Sequence, residues 1–178
     1  MAIILVLAGL ILSISGYVQK KGARSRAEAE IAAMSAAIES YKADNGIYPQ
    51  STATNALDPF TTAGPTATPH PNAYENASKS LYGSLSGDNV NYNNQLDGTE
   101  TTNRTYLSFK SQMLGGTKNS SGNLTAVDMI RDPFGNSYGY STMKASNSAA
   151  SGSNPTFDLW SIADGNAGAD SAKWVKNW

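Results

Sequence analysis

The strongest ligand-like constellation of side chains in this 178-residue chain lies between Asp158 and Asp170. Ca²⁺ takes roughly six to eight oxygens from carboxylates, carbonyls and water, supplied by a flexible turn. Ser161, Asp164 and Asp170 stand around Gly165-Asn-Ala-Gly168, whose glycines let the backbone bend and present its carbonyls. These three are the candidate metal ligands, and an ordinary Asp-Gly turn is the plain alternative.

Other chemistries find less. A nucleophilic triad needs a base, usually histidine, and the only one, His70, stands between Pro69 and Pro71 and reads as a solvated loop residue. Gly115-Gly116 lacks the spacing of either nucleotide-binding fingerprint. There is no cysteine, hence no disulfide framework and no thiolate chemistry. Thirteen Lys and Arg against fourteen Asp and Glu leave a net charge of -1, without the clustered basic face that nucleic acids require. Neither an enzyme nor a nucleic-acid-binding protein is expected. Trp160, Trp174 and Trp178 could stack on a sugar, but beside a strand they read as core and loop anchors. Asn76-Ala-Ser, Asn103-Arg-Thr, Asn119-Ser-Ser and Asn123-Leu-Thr match the glycan acceptor pattern, which a chain rich in Asn, Ser and Thr produces by chance.

The elements that must position these residues begin at Met1. From there to Val18 no residue is charged, and Lys20, Lys21, Arg24 and Arg26 then arrive as a basic collar. A membrane span needs about 20 apolar residues, so this run is marginal as a permanent span. A cleaved secretory signal would want positive charge before the run and a small-residue cleavage site after it; Ser13, Ser15 and Gly16 are small, but the pattern reads on as helix. The collar follows the run, which by the positive-inside tendency argues for a cytoplasmic C-terminus and conflicts with an exported head.

From Ala27 the pattern turns amphipathic. Ile31, Met34, Ile38 and Tyr41 form one stripe, with Glu28, Glu30, Glu39 and Lys42 mostly off it. A helix from Met1 to Asp44 would be about 65 Å long at ~1.5 Å per residue, and something must cover its apolar end. Asp44-Asn45-Gly46 stops it, with Gly46 free to take the left-handed cap and Pro49 preventing resumption. Beyond this, Ala63 to Asn72 is an irregular Pro/Thr loop, Ser78 to Leu85 a short helical or irregular segment, and Asn119 to Asn123 a turn. Tyr106 to Lys110 alternates weakly as a strand would, though Met113 and Leu114 would also suit a short helix, and Ala126 to Arg131 leads into the first secure strand.

The run Ala37-Ile-Glu-Ser-Tyr-Lys-Ala-Asp-Asn-Gly-Ile-Tyr-Pro49 resembles the end of the long helix in type IV pilin-like proteins, nearest to the major pseudopilins of type II secretion systems. Asp132-Pro-Phe-Gly-Asn-Ser-Tyr-Gly-Tyr140 looks like that family's turn and strand, Phe157 to Gly165 like its final strand and loop, and Lys176-Asn-Trp178 like its ending. The blocks cover roughly residues 1–50 and 130–178, in the family's order. Two departures stand out. Aligned without gaps, Met1 falls about nine residues inside the family's mature N-terminus and the family's early glutamate is missing, so residues are expected to precede Met1. The family's proline in the apolar half-helix is also replaced, near Ser13.

The resemblance implies an α+β pilin fold, a long N-terminal α-helix packed on a small antiparallel β-sheet head. Residues 1–26 would be the apolar membrane or filament-core half-helix with its collar, and residues 27–178 the head, with a polar insertion at 50–128. It implies a subunit that polymerises with itself through the apolar helix, where Ile4, Leu7 and Ile11 are the core positions. Its partners would be the cytoplasmic membrane before assembly and a pilus or secretion assembly machinery, and its destination an extracellular or periplasmic filament. The corresponding loop of related pseudopilins holds calcium, which makes Ca²⁺ the expected cofactor at Ser161, Asp164 and Asp170. A periplasmic pseudopilus subunit and a non-polymerising, membrane-anchored binding module are the alternatives.

Overall fold

The computed structural model describes the backbone of residues 2–60, 72–94, 104–165 and 171–178, with side chains for all of these except 2–15 and 72–73. Helix α1 runs without a break over Ala2–Asn45. It ends where the sequence stops favouring it: Gly46 takes φ +77° and its N–H donates to the Lys42 carbonyl at 2.8 Å, closing the last turn. Ala27, Ile31, Met34 and Ile38 recur every three or four positions and are buried together, so α1 packs on the head from Ala27 onward.

After α1 the chain reverses through α2 (Thr52–Ala56), held by a reciprocal cap in which the Ser51 hydroxyl accepts from the Thr54 N–H and the Thr54 hydroxyl from the Ser51 N–H. Helix α3 then spans Asn72–Ser86. Ser78 to Leu85, expected as a short helical or irregular segment, is therefore helical and part of a longer, 15-residue helix. Its spacing was hard to see because Ser78, Ser80, Gly83, Ser84 and Ser86 dilute the apolar positions Tyr74, Ala77, Leu81, Tyr82 and Leu85. Those apolar side chains are all buried, so much of the 50–128 stretch builds the core.

A 3₁₀ turn at Ser111–Met113 leads into β1 (Leu114–Lys118), which pairs antiparallel with β2 (Leu124–Ile130) around the Asn119 to Asn123 turn. The Arg131–Ser137 bridge carries the pairing across the next turn to a second antiparallel sheet of β3 (Gly139–Ser141), β4 (Asp158–Ser161) and β5 (Val175–Lys176), in the order β3-β4-β5; α4 (Met143–Ser146) lies between β3 and β4. The segment expected as the final strand is thus the middle one of three. Strand β5 follows it, and Asn177 extends the pairing by accepting from the Leu159 N–H at 2.9 Å and donating its own N–H to the Leu159 carbonyl.

The result is an α+β fold with a long N-terminal helix and small antiparallel sheets. One buried cluster joins Ile31, Met34 and Ile38 of α1 to Leu81 and Leu85 of α3 and to Val127, Ile130, Tyr138, Tyr140 and Leu159 of the sheets. A second gathers Leu57, Tyr74, Ala77, Trp160, Ile162 and Trp174. Trp160 and Trp174 stack at 6.1 Å inside it, which makes them core anchors, with Trp178 at their edge. Gly139 sits opposite Trp160 because nothing larger fits: a Cβ there would lie 2.2 Å from the indole.

Candidate functional site

The C-terminal loop begins where β4 ends, and its first side chain faces inward. The fully buried Ser161 hydroxyl donates to Asp132 Oδ2 at 2.5 Å and accepts from the Ala163 N–H at 3.0 Å. Asp132 arrives from the turn after β2, where the Asp132-Pro-Phe-Gly-Asn136 pattern folds its Oδ1 onto the backbone N–H groups of Phe134 and Asn136. The Asn136 amide reaches across to the Ala163 carbonyl at 2.8 Å, so the two turns are fastened to each other. Burial raises the Asp132 pKa, and its donors from Ser161, Asn136 and Phe134 offset only part of that.

Asp164 faces the other way. Its exposed carboxylate receives Lys20 of α1 at 3.2 Å, and this hydrogen bond lowers its pKa. One turn along α1, the Arg24 guanidinium donates to the carbonyls of Lys173 at 2.7 Å and Trp174 at 3.2 Å. The collar that reads as a membrane-facing charge cluster thus also ties α1 to the segment just before β5. Arg26, itself exposed, pairs along the helix with the buried Glu30 at 2.7 Å, while Tyr138 donates to the other Glu30 oxygen at 2.8 Å. Glu30, expected off the buried stripe, is 9% exposed, because its two partners replace the water it leaves.

Of the three candidate metal ligands, Asp170 lies outside the described residues. Ser161 and Asp164 are three positions apart but face different partners, and a cation drawing on both would have to compete with Asp132 and Lys20. The loop closes on itself as a turn, with the Gly165 N–H donating to the Ile162 carbonyl at 2.9 Å. Among the described residues, no group of three or more His, Cys, Asp or Glu side chains could hold a metal ion. The partners Asp132, Lys20 and Arg24 escaped sequence reasoning; only the Asx-turn pattern at Asp132 signalled anything.

The filament-core positions Ile4, Leu7 and Ile11, like His70, lie outside the residues whose side chains are described. Among the described residues, no helix is long and apolar enough to cross a membrane. Ahead of its packed part, residues 16–22 of α1 are exposed, with Tyr17 at 70% and Val18 at 59%. Asn76, Asn119 and Asn123 of the glycan acceptor patterns are exposed, and Asn103 lies outside the described residues.

No family model matches the chain, and neither a curated protein nor a solved structure matches it.

Proposed function

We propose that this chain is a structural subunit of a type IV pilin-like filament, in which the N-terminal part of α1 bundles with its counterparts and the head forms the sheath. The observation that carries this reading is the change along one unbroken helix. From Ala27 onward α1 buries a stripe in its own head, whereas Tyr17 and Val18 stay mostly exposed. The sequence before them is apolar and uncharged, and apolar surface of that extent calls for lipid or for other subunits. Assembly would exchange the first for the second, and the mechanism is packing rather than catalysis.

The test is electron microscopy of material sheared from cells expressing the full chain, with mass spectrometry to identify the subunit. Filaments of this chain are expected, lost when Ile4, Leu7 or Ile11 becomes aspartate, with the far-UV circular dichroism of the head kept. Filaments that survive all three substitutions would sink the proposal. So would a full-length chain that stays monomeric in membranes and tolerates an unrelated anchor, which would point to a binding module.

A further inference from the structure

Among the described residues, Asp88, just past the end of α3, is the one carboxylate with a buried oxygen that lacks a hydrogen-bond partner. It is 2% exposed, and its Oδ2 accepts from the Tyr82 hydroxyl at 2.9 Å and from the Asn94 N–H at 2.7 Å. Its Oδ1 is buried and has no hydrogen-bond partner, and Asp88 enters no ion pair among the described residues. Two neutral donors on one oxygen leave the other oxygen of a buried charge uncompensated, an arrangement that costs several kcal/mol unless something else meets it.

Asp88 lines a cavity of about 270 Å³, far more than one water requires. The same cavity is lined by Ser86, Asn94 and Thr105, so a carboxylate, a carboxamide and two hydroxyls border it; the Ser86 hydroxyl also accepts from the Asp88 N–H at 3.1 Å, and the Asn94 amide oxygen lies 3.4 Å from the Tyr82 hydroxyl. Asn94 holds a left-handed backbone at φ +63°, and the Thr105 hydroxyl donates to the Ser86 carbonyl at 2.8 Å, keeping its lone pairs free to accept. Among the described residues, no cationic side chain lines it.

We propose that this cavity is a binding site for a hard, oxygen-seeking metal cation of the calcium class, with Asp88 as the one anionic ligand among the described residues and Asn94, Ser86 and Thr105 supplying neutral oxygens. A single carboxylate sets the affinity at the weak end for such sites, about 10⁻⁴ to 10⁻³ M. The bound ion links three segments. These are the end of α3, the 88–94 loop, whose Tyr92 carbonyl accepts from the Val127 N–H of β2, and the 104–109 segment, whose Tyr106 and Leu107 N–H groups both donate to the Leu85 carbonyl. The site is separate from the C-terminal loop and does not depend on filament assembly.

The experiment is terbium luminescence, excited through the protein's aromatic residues, on the full chain in detergent micelles, followed by displacement with Ca²⁺ and, separately, with Na⁺. The set is the wild type, Asp88→Asn, Asn94→Gly and Asp164→Asn. Asp88→Asn keeps an oxygen for Tyr82 and the Asn94 N–H; Asn94→Gly keeps the left-handed backbone and its N–H to Asp88 and removes the whole side-chain amide, with its carbonyl oxygen. Saturable emission displaced by millimolar Ca²⁺ is expected, weakened at least about tenfold in both Asp88→Asn and Asn94→Gly and unchanged in Asp164→Asn. Three results would overturn the proposal: no saturable emission in the wild type, which leaves water as the occupant; emission indifferent to Asp88→Asn and Asn94→Gly; or emission lost only in Asp164→Asn, which places the ion in the C-terminal loop.

Discussion

Tyr138 donates its hydroxyl to Glu30 at 2.8 Å across 108 positions of sequence, joining the end of the turn before β3 to the buried face of α1. Burial and the Glu30 carboxylate beside it both push the phenol's pKa up, so the proton stays where the hydrogen bond needs it. Arg26 neutralises the same carboxylate from the preceding turn of α1. These three residues add a polar tie to the apolar stripe that seats the long helix on the head.

Tyr138→Phe leaves one oxygen of a buried carboxylate without its donor, and should cost about 1–3 kcal/mol in chemical denaturation. Combined with Glu30→Gln, the loss should fall short of the sum of the two single losses, since both remove the same interaction. Additivity would show that the bond contributes nothing of its own.

Gly139→Ala should destabilise the chain by about 1–3 kcal/mol through overpacking, because the added methyl meets the Trp160 ring inside an interlocked aromatic cluster. A blue- or red-shift of tryptophan emission in the folded state should accompany it. Wild-type stability with unchanged emission would mean that the β3–β4 spacing gives way freely.

Arg24→Ala removes both donors to the Lys173 and Trp174 carbonyls. Amide exchange over residues 173–178 should accelerate while α3 stays protected. Arg24→Lys should restore only part of the protection, since one ammonium cannot reproduce a planar fork that meets two carbonyls. Equal exchange in all three proteins would show that β5 is held by its pairing with β4 alone.

Burial raises the Asp132 pKa, so the folded chain binds this proton more tightly than the unfolded chain does. Its stabilising contribution is therefore greatest below the ordinary carboxylate value of about 3.9, and it declines as pH rises from there through the raised folded value. Asp158 is shifted the same way by burial. Asp132→Asn lacks this term, so its stability relative to the wild type should improve with pH across that window and then level off. A pH-independent difference would dismiss the burial argument.

Where the controlling forces are local, the residues themselves were enough. Gly46 ends α1 because the left-handed cap is open to glycine whatever surrounds it. The spacing of Ile31, Met34 and Ile38 names the buried face of α1, and Asn119 to Asn123 and Asp132 to Asn136 are turns by virtue of their own side chains. The apolar run ahead of the basic collar is equally plain in the sequence, and the filament proposal rests on it. Tertiary structure decided the rest. Glu30 is buried because Tyr138 arrives from 108 positions away, Ser161 turns to Asp132 rather than to Asp164, and α3 is held by apolar contacts that its serines obscure. The isolation of Asp88 Oδ1 could not have been read at all, since a missing partner is a property of everything packed around a group. Helix periodicity and turn chemistry act over a few residues, whereas desolvation and long-range hydrogen bonds exist only once distant segments have met.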